Sequence, residues 1–414
     1  MRAQSLIPAI LLIAACGSAP SAGTAQNALA PGGSPIPGPP ALTPEAEIPF
    51  KRERMGEFDN PFSIAFLPDG SLLVTEKPGH LIWWHGGTRT EIGGVPAVKQ
   101  ITQGGLLDVA LAPDFARSKT LYLTYSEPRP GGASLALAKA TLAGTSLTNV
   151  SVIWRQGADG QGGQFGAVIA FSPDGKTLFL SSGERMRFTP SQDPNQKLGK
   201  ILRLTLDGKP APGNPQAGKT GTPTITVTDP PRDTEAAKSA PGHPETVQGP
   251  NTAPAETWAS GIRNSYGLAF APDGRLWEIE FGPRGGDELN LILPGKNYGW
   301  PNVSEGENYN GVPIPKPKAG DGFEQAKVFW VPSIAPSGLI IYTGALFPQW
   351  KGDAFLGGLS GMSLIHVKIS GDKAEKADRW SWGKRIRDVA QAPDGSIWLI
   401  EDGAKSALIR LTPK

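Results

Sequence analysis

Residues 171–184 read FSPDGKTLFLSSGE: an apolar residue, a Pro-Asp-Gly triplet, and then a segment of alternating apolar and small residues. Proline presets φ at the start of the turn and glycine supplies the positive φ at its end, so the stretch predicts a β-hairpin. The unit recurs as FLPDGSLLVTE from Phe66, LAPDFARSKTLYLTYSE from Leu111, FAPDGRLWEIEFG from Phe270 and QAPDGSIWLIED from Gln391, with Phe115 replacing the glycine in the second. The turn prolines stand at 68, 113, 173, 272 and 393, and a further strand-rich segment, GLIIYTGALFPQWKGDAFLGGLSGMSLIHVKI from Gly338, fills the last gap. This spacing predicts an all-β chain, a β-propeller of about six four-stranded blades around a central channel. Sustained 3.6-residue periodicity is almost absent, which argues against an α/β fold. The triplets themselves are turns with no catalytic content.

Composition agrees with many short strands. The 414 residues include 53 Gly and 41 Pro, and 39% are hydrophobic, enough for a packed core. A net charge of +2 supplies no field for nucleic acid. One cysteine excludes an internal disulfide framework and a thiolate metal cluster.

That cysteine closes the opening segment MRAQSLIPAILLIAACGS, in which an apolar run ends in Ile13-Ala14-Ala15-Cys16. The run is too short to span a bilayer and reads as an export signal over residues 1–15. The tetrapeptide resembles a bacterial lipobox, so Cys16 is expected to carry lipid on a periplasmic protein; the alternative is an ordinary signal cut near Ala25. Residues 16–47, rich in Ala, Pro, Gly and Ser, read as a disordered tether, with the propeller over 48–414. A polar, proline-rich insertion near 207–257 is expected on the surface, either roofing a binding face or disordered.

Six segments stand apart from the repeat: ITQGGLLDVALAPDF (from Ile101), GQFGAVIAFSPDG (Gly163), DPNQKLGKILRL (Asp193), SGIRNSYGLAF (Ser260), FGPRGGDELNLILPGKNYGWPNV (Phe281) and RIRDVAQAPDG (Arg385). In order and spacing they resemble the glucose/sorbosone dehydrogenase family, most closely its soluble aldose sugar dehydrogenase branch. The resemblance implies a six-bladed propeller that oxidises sugars with pyrroloquinoline quinone and passes electrons to an external acceptor.

It also implies a set of site residues. Arg385 and Arg387 alternate on one strand, so two guanidiniums share a face suited to carboxylate or quinone oxygens. With Gln103, Arg263 and Asn264 they match cofactor-binding positions. The Gly-Pro run exposes carbonyl oxygens, which calcium prefers. By resemblance Gly282 and Pro283 hold the Ca2+ that bridges to the cofactor, and Glu288 and Tyr298 match calcium positions. Asp287 is either a further ligand or a satisfied turn carboxylate.

The family's His-Phe-Gly-Gly-Arg segment reads Gln164-Phe165-Gly166-Ala167-Val168 here. Its histidine takes the proton from the sugar hydroxyl; a carboxamide has no basic lone pair and can only orient a hydroxyl. None of His80, His85, His243 and His366 falls in these segments. Ser360 stands where some members carry a cofactor-facing lysine, and Phe281 where a polar residue is usual. The histidine's acidic partner survives as Glu184, either a replacement base or the partner of Arg185 or a neighbouring arginine.

Three functions follow: a periplasmic quinoprotein oxidising an aldose or related alcohol, a binding lipoprotein that has lost efficient turnover, or a calcium-dependent lactonase. The membrane is expected as a partner only through the lipid anchor.

Overall fold

In the computed structural model each Pro-Asp-Gly unit closes the turn between the first two strands of a four-stranded antiparallel sheet. The structure describes residues 41–228 and 242–414; the export signal, Cys16 and the tether through residue 40 lie outside the described residues, as do 229–241 of the insertion. Six such sheets form the six-bladed propeller that the repeat predicts.

Blade 1 is β2 (Pro61–Phe66), β3 (Leu72–Glu76), β4 (His80–His85) and β5 (Thr88–Ile92). Blade 2 is β6 (Leu106–Leu111), β7 (Thr120–Arg129), β8 (Gly132–Ala143) and β9 (Ser146–Arg155). Blade 3 joins β10 (Gly166–Phe171), β11 (Thr177–Ser182) and β12 (Lys200–Thr205) to β15 (Thr257–Ser260). Blade 4 is β16 (Ser265–Phe270), β17 (Leu276–Glu280), β18 (Asp287–Ile292) and β19 (Val328–Trp330). Blade 5 is β20 (Pro336–Ile341), β21 (Ala354–Gly358), β22 (Ser363–Ser370) and β23 (Lys373–Ser381). Blade 6 takes β24 (Ile386–Gln391), β25 (Ile397–Glu401) and β26 (Ser406–Pro413) from the C-terminal end and β1 (Phe50–Phe58) from the N-terminal end, so pairing of the two ends closes the ring.

The insertion separates β12 from β15 and carries its own hairpin, β13 (Thr224–Thr228) with β14 (Gly242–Thr246). That hairpin touches the loop after β11 through Gln196, whose Nε2 donates to the Thr226 carbonyl at 2.9 Å. In blade 2, where Phe115 replaces the turn glycine, the turn becomes the short helix α1 (Phe115–Ser118) and the phenyl ring is buried in the wedge between blades 1 and 2.

Each of the six wedges between neighbouring blades holds its own apolar cluster. The wedge beside the closing strand is the most aromatic: Phe50 of β1 sits edge-on to Trp350 and Trp380. Burying this surface is the main favourable term in the fold.

A second, polar device joins the inner strands. Every innermost strand slips register against its neighbour near its first residues, between Pro61 and Ile64, Leu106 and Val109, Gly166 and Ile169, Ser265 and Gly267, Ser337 and Leu339, and Ile386 and Asp388. Such bulges free backbone groups that must find other partners. Thr75 Oγ1 accepts from Ser63 N at 3.0 Å and donates to the Leu107 carbonyl of the next blade at 2.5 Å. Thr124 does the same between Asp108 N and Ala167 O, and Ser181 between Val168 N and Ser265 O. Asp108 accepts from Ser63 Oγ at 2.6 Å and Ile169 N at 2.8 Å, tying blade 2 to both neighbours. Asp388 accepts from Ile64 N at 2.8 Å across the closing junction, and Ser337 Oγ donates to the Arg387 carbonyl.

Asp108→Ala leaves the Ile169 amide and the Ser63 hydroxyl without that acceptor. Each buried donor so orphaned costs about 1–3 kcal/mol. Guanidinium unfolding is expected to show a loss of roughly 2–5 kcal/mol with an unchanged far-UV circular dichroism spectrum.

Candidate active site

The inner strands begin at one mouth of the channel, and there two sets of loops converge. One set leads into the inner strands and carries Gln103, Gln164, Arg263, Asn264 and Arg385; Arg387 follows on β24 itself. The other joins each blade's second and third strands and carries Lys77, Glu184, Gly282, Ser360 and Asp402.

The first half of the site is built on Gln164. Its backbone N donates to Gln103 Oε1 at 2.6 Å, and with the carboxamide oriented as its neighbours require, its oxygen accepts from Arg263 Nη2 at 2.7 Å and its nitrogen donates to Glu184 Oε1. Gln164 therefore bridges Arg263 to Glu184. Glu184 is fully buried, with Oε2 accepting from Phe188 N at 2.6 Å. Burial pushes its carboxyl up to about 7, against the pull of Arg263. Two strained segments hold the pair: φ is positive at Gln164 and Ala167 on one side and at Arg185, Met186 and Phe188 on the other. Their backbones approach so closely that a Cβ on Gly183 would lie 2.0 Å from the Gln164 carbonyl oxygen.

Arg185 turns away from Glu184. Its guanidinium donates to the carbonyls of Gly162 and Gly163 at 2.8 and 3.1 Å and lies 3.8 Å over the Phe165 ring. The sequence suggests Arg185 or a neighbouring arginine as the partner of Glu184; the charge that pulls its carboxyl down is that of Arg263.

Arg263 spans the gap to blade 4. Its Nη1 donates to the carbonyls of Phe281 and Gly282 at 3.1 and 3.0 Å, and its guanidinium carbon lies 5.2 Å over Trp300. Arg263 Nε and Asn264 Nδ2 are buried donors that meet no acceptor among the described residues.

The second half is cationic. Arg385 and Arg387 converge on Asp402, Arg385 Nε donating to Oδ2 at 2.8 Å and Arg387 Nε and Nη2 to Oδ1 at 2.8 and 2.7 Å. Burial alone would raise the Asp402 carboxyl, but Arg387, Lys77 and the arginine hydrogen bonds hold it down at about 2. Tyr266 joins the halves: its hydroxyl donates to Gln103 Oε1 at 3.3 Å, Arg387 lies 5.8 Å over its ring, and Phe62 and Phe281 pack edge-on against it. Tyr266, Phe62 and Arg387 also line the central cavity of about 410 Å³ that runs along the inner strands.

The family model described as Glucose / Sorbosone dehydrogenase matches residues 58–229 and 231–410. The chain belongs to the glucose/sorbosone dehydrogenase family. It is 36% identical to aldose sugar dehydrogenase YliI of Escherichia coli strain K12 over 371 residues, 86% of this chain and 91% of that protein. The soluble aldose sugar dehydrogenase of Escherichia coli in its apo form superposes with a TM-score of 0.76 at 35% identity, covering 88% of this chain and all of that one. The PQQ-bound aldose sugar dehydrogenase of Streptomyces coelicolor superposes with a TM-score of 0.66 at 27% identity, covering 88% of this chain and 98% of that one.

Within this family member the calcium expectations meet a mixed geometry. The Gly282 carbonyl faces Arg263, and the Tyr298 hydroxyl is spent, donating to Leu291 O at 2.6 Å and accepting from Leu293 N at 2.9 Å. Asp287 is a satisfied carboxylate with donors from Gly282 N, Ser333 Oγ, Ile334 N and Ala335 N. Glu288 is buried beside Glu280 and Glu278, around the single amide of Asn290. Burial raises all three carboxyls, Glu278 to about 8. Among the described residues no three His, Cys, Asp or Glu are arranged to hold a metal ion. The hard oxygens near Glu288 still suit calcium chemically, whereas an ion on the Gly282 carbonyl would have to take the place of Arg263.

Ser360 is exposed at the mouth and donates to the Ser333 carbonyl at 3.2 Å. Asp402, Lys77 and Tyr266 are the site residues that the sequence reading did not single out. Asp402 lies in Glu-Asp-Gly after the last Pro-Asp-Gly unit, and its position matches that of Lys77, Gly183 and Phe281 in other blades, each of whose amides donates to the loop that leads into its own inner strand.

Glu184 yields a test. The folded carboxyl holds its proton more tightly than the ordinary value of 4.5 allows, so its contribution to stability is present at acid pH and is lost as pH rises through about 7. Glu184→Gln removes that dependence. In thermal melts from pH 4 to pH 8, the wild type is expected to lose up to roughly 3 kcal/mol relative to the variant.

Proposed function

We propose that this protein is a pyrroloquinoline-quinone-dependent dehydrogenase that oxidises an aldose or a related sugar or alcohol and passes the electrons to an external acceptor. The observation that carries the reading is the cationic, donor-rich face at the channel mouth: Arg385 and Arg387 converging on Asp402, Arg387 over the Tyr266 ring, and the buried donors Asn264 Nδ2 and Arg263 Nε, which meet no acceptor among the described residues. A planar polycarboxylate quinone supplies acceptors for those donors and charge for those arginines. Bound there, the quinone would supply the two-electron oxidation that no protein side chain performs.

The chain's own residues then divide the remaining work. Arg385 and Arg387 bind carboxylate, Asn264 and Gln103 orient, and Tyr266 with Phe62 separates the site from the channel. Gln164 stands in front of Glu184 and takes up the oxygen that a substrate hydroxyl would need. Its amide cannot accept a proton at neutral pH. This supports slow turnover, and the same observation favours the second reading, a cofactor-binding lipoprotein with weakened catalysis. A lactonase would need carboxylates converging on a central calcium, and Asp108 and Asp388 in the channel are instead spent on backbone amides. Export to the periplasm and anchoring through Cys16 complete the proposal. A Cys16→Ser variant is expected to leave the membrane fraction for the soluble periplasm, and a soluble wild type beginning near Ala25 would defeat the anchor.

The experiment is titration of purified protein with pyrroloquinoline quinone with and without calcium, followed by assay with aldoses and a dye acceptor. Saturable, calcium-dependent binding that is abolished by charge reversal at both Arg385 and Arg387 is expected. Gln164→His is expected to raise the weak oxidation rate, because positioned bases contribute about 100-fold to 10,000-fold. Equal quinone binding by the doubly reversed variant overturns the cofactor reading. Fast wild-type turnover that Gln164→His slows overturns the role given to Gln164.

A further inference from the structure

Lys77 follows β3, in the loop that is blade 1's counterpart of the Glu184, Gly282, Ser360 and Asp402 loops. Its backbone is fixed. The amide donates to Asn60 O at 2.9 Å, and the carbonyl accepts from Leu106 N at 3.1 Å. Gly105 lies so close that a Cβ there would fall 2.2 Å from the Lys77 carbonyl oxygen. A rigid backbone therefore aims this side chain, only 15% exposed, toward Asp402.

The head group has no adequate partner there. Its one ionic contact among the described residues is with Asp402 Oδ1 at 3.8 Å, an oxygen that already accepts from Arg387 at 2.7 Å, and Arg385 holds the other carboxylate oxygen. Three cations thus share one carboxylate. Burial and the Arg387 charge push the lysine toward its neutral form, against the pull of Asp402. An ammonium at the end of a largely buried side chain, with no hydrogen-bond acceptor among the described residues, is left to water or to a ligand to satisfy. The surplus of positive charge specifies that acceptor as an anion.

We infer that Lys77 completes an anion subsite with Arg385 and Arg387 and binds a carboxylate of the quinone cofactor. The inference rests on the cofactor reading above and deepens it. Ser360 brings no charge to the mouth from blade 5; Lys77 brings one from blade 1, the neighbour of blade 6 on its other side. Fixed point charge from lysine and forked donors from arginine are complementary ways to hold one carboxylate.

The test is fluorescence titration of wild type, Lys77→Gln, Lys77→Met and Lys77→Arg with pyrroloquinoline quinone at low and high salt, with thermal melts of each apo-protein. Lys77→Gln and Lys77→Met are expected to weaken binding about tenfold or more and to flatten its salt dependence, because one charged contact is gone. Lys77→Arg is expected to stay within about threefold of wild type, a rescue that a purely structural lysine would not predict. Apo-protein melting points of the neutral variants should equal or exceed that of wild type, since an uncompensated buried charge has been removed. Quinone affinity unchanged in both neutral variants overturns the inference while leaving the cofactor reading intact. Failure of wild type to bind quinone overturns that reading, and the inference with it. Gluconate, titrated alone, probes the product carboxylate: gluconate binding that Lys77→Gln abolishes, with quinone affinity unchanged, reassigns the subsite and overturns the inference.

Discussion

The molecule depends on the polar bridges between its inner strands. A ring of six sheets packed by apolar wedges alone would be free to slide blade against blade, because apolar contact has no direction. The register slip near the start of each inner strand creates unpaired backbone groups, and Thr75, Thr124, Ser181, Asp108 and Asp388 spend them on neighbouring blades. Five of the six junctions carry such a bridge, Ser337 supplying the one between blades 5 and 6. These bridges lie just below the mouth, so the loops that carry Gln164, Arg263 and Arg387 are fixed relative to one another. Without that fixed frame, donors from different blades could not address one small ligand.

Pro-Asp-Gly made the hairpins legible because its φ requirements are local. Blade 5 lacks the triplet, and its first turn contains the short 3-10 segment Pro348–Trp350 instead, so only its strand-rich composition announced it. Phe115 marked an exception whose outcome, a helix and a buried ring, needed the neighbouring wedge to explain it. The register slips were not legible, since a period-2 pattern does not reveal one extra residue until its partner strand is known.

The site divided in the same way. Arg385 and Arg387 were readable as a pair by strand alternation, but Asp402, on which both converge, comes from another loop and carries no motif of its own. Lys77 comes from another blade, and its meaning lies in what surrounds it. Glu184 was visible as an acid; its burial behind Gln164, and its link through Gln164 to Arg263, depend on strained backbone at positions that L-residues seldom occupy. Long-range placement of charge was therefore the part that local pattern could not supply.

Blade 6 has a consequence for biosynthesis. Its outer strand, β1, is the first of the propeller to be made, and its partner β26 is the last. A nascent chain can form five blades and still have no ring, with β1 lacking its ladder partner throughout synthesis. Until β26 arrives, the incomplete sixth blade offers open backbone edges of the kind that pair with other chains. Loss of even the final strand by early termination would leave two such edges, on β1 and on β25, in an otherwise well-packed molecule. Aggregation of prematurely ended chains, rather than simple unfolding, is the failure to which this architecture is most exposed.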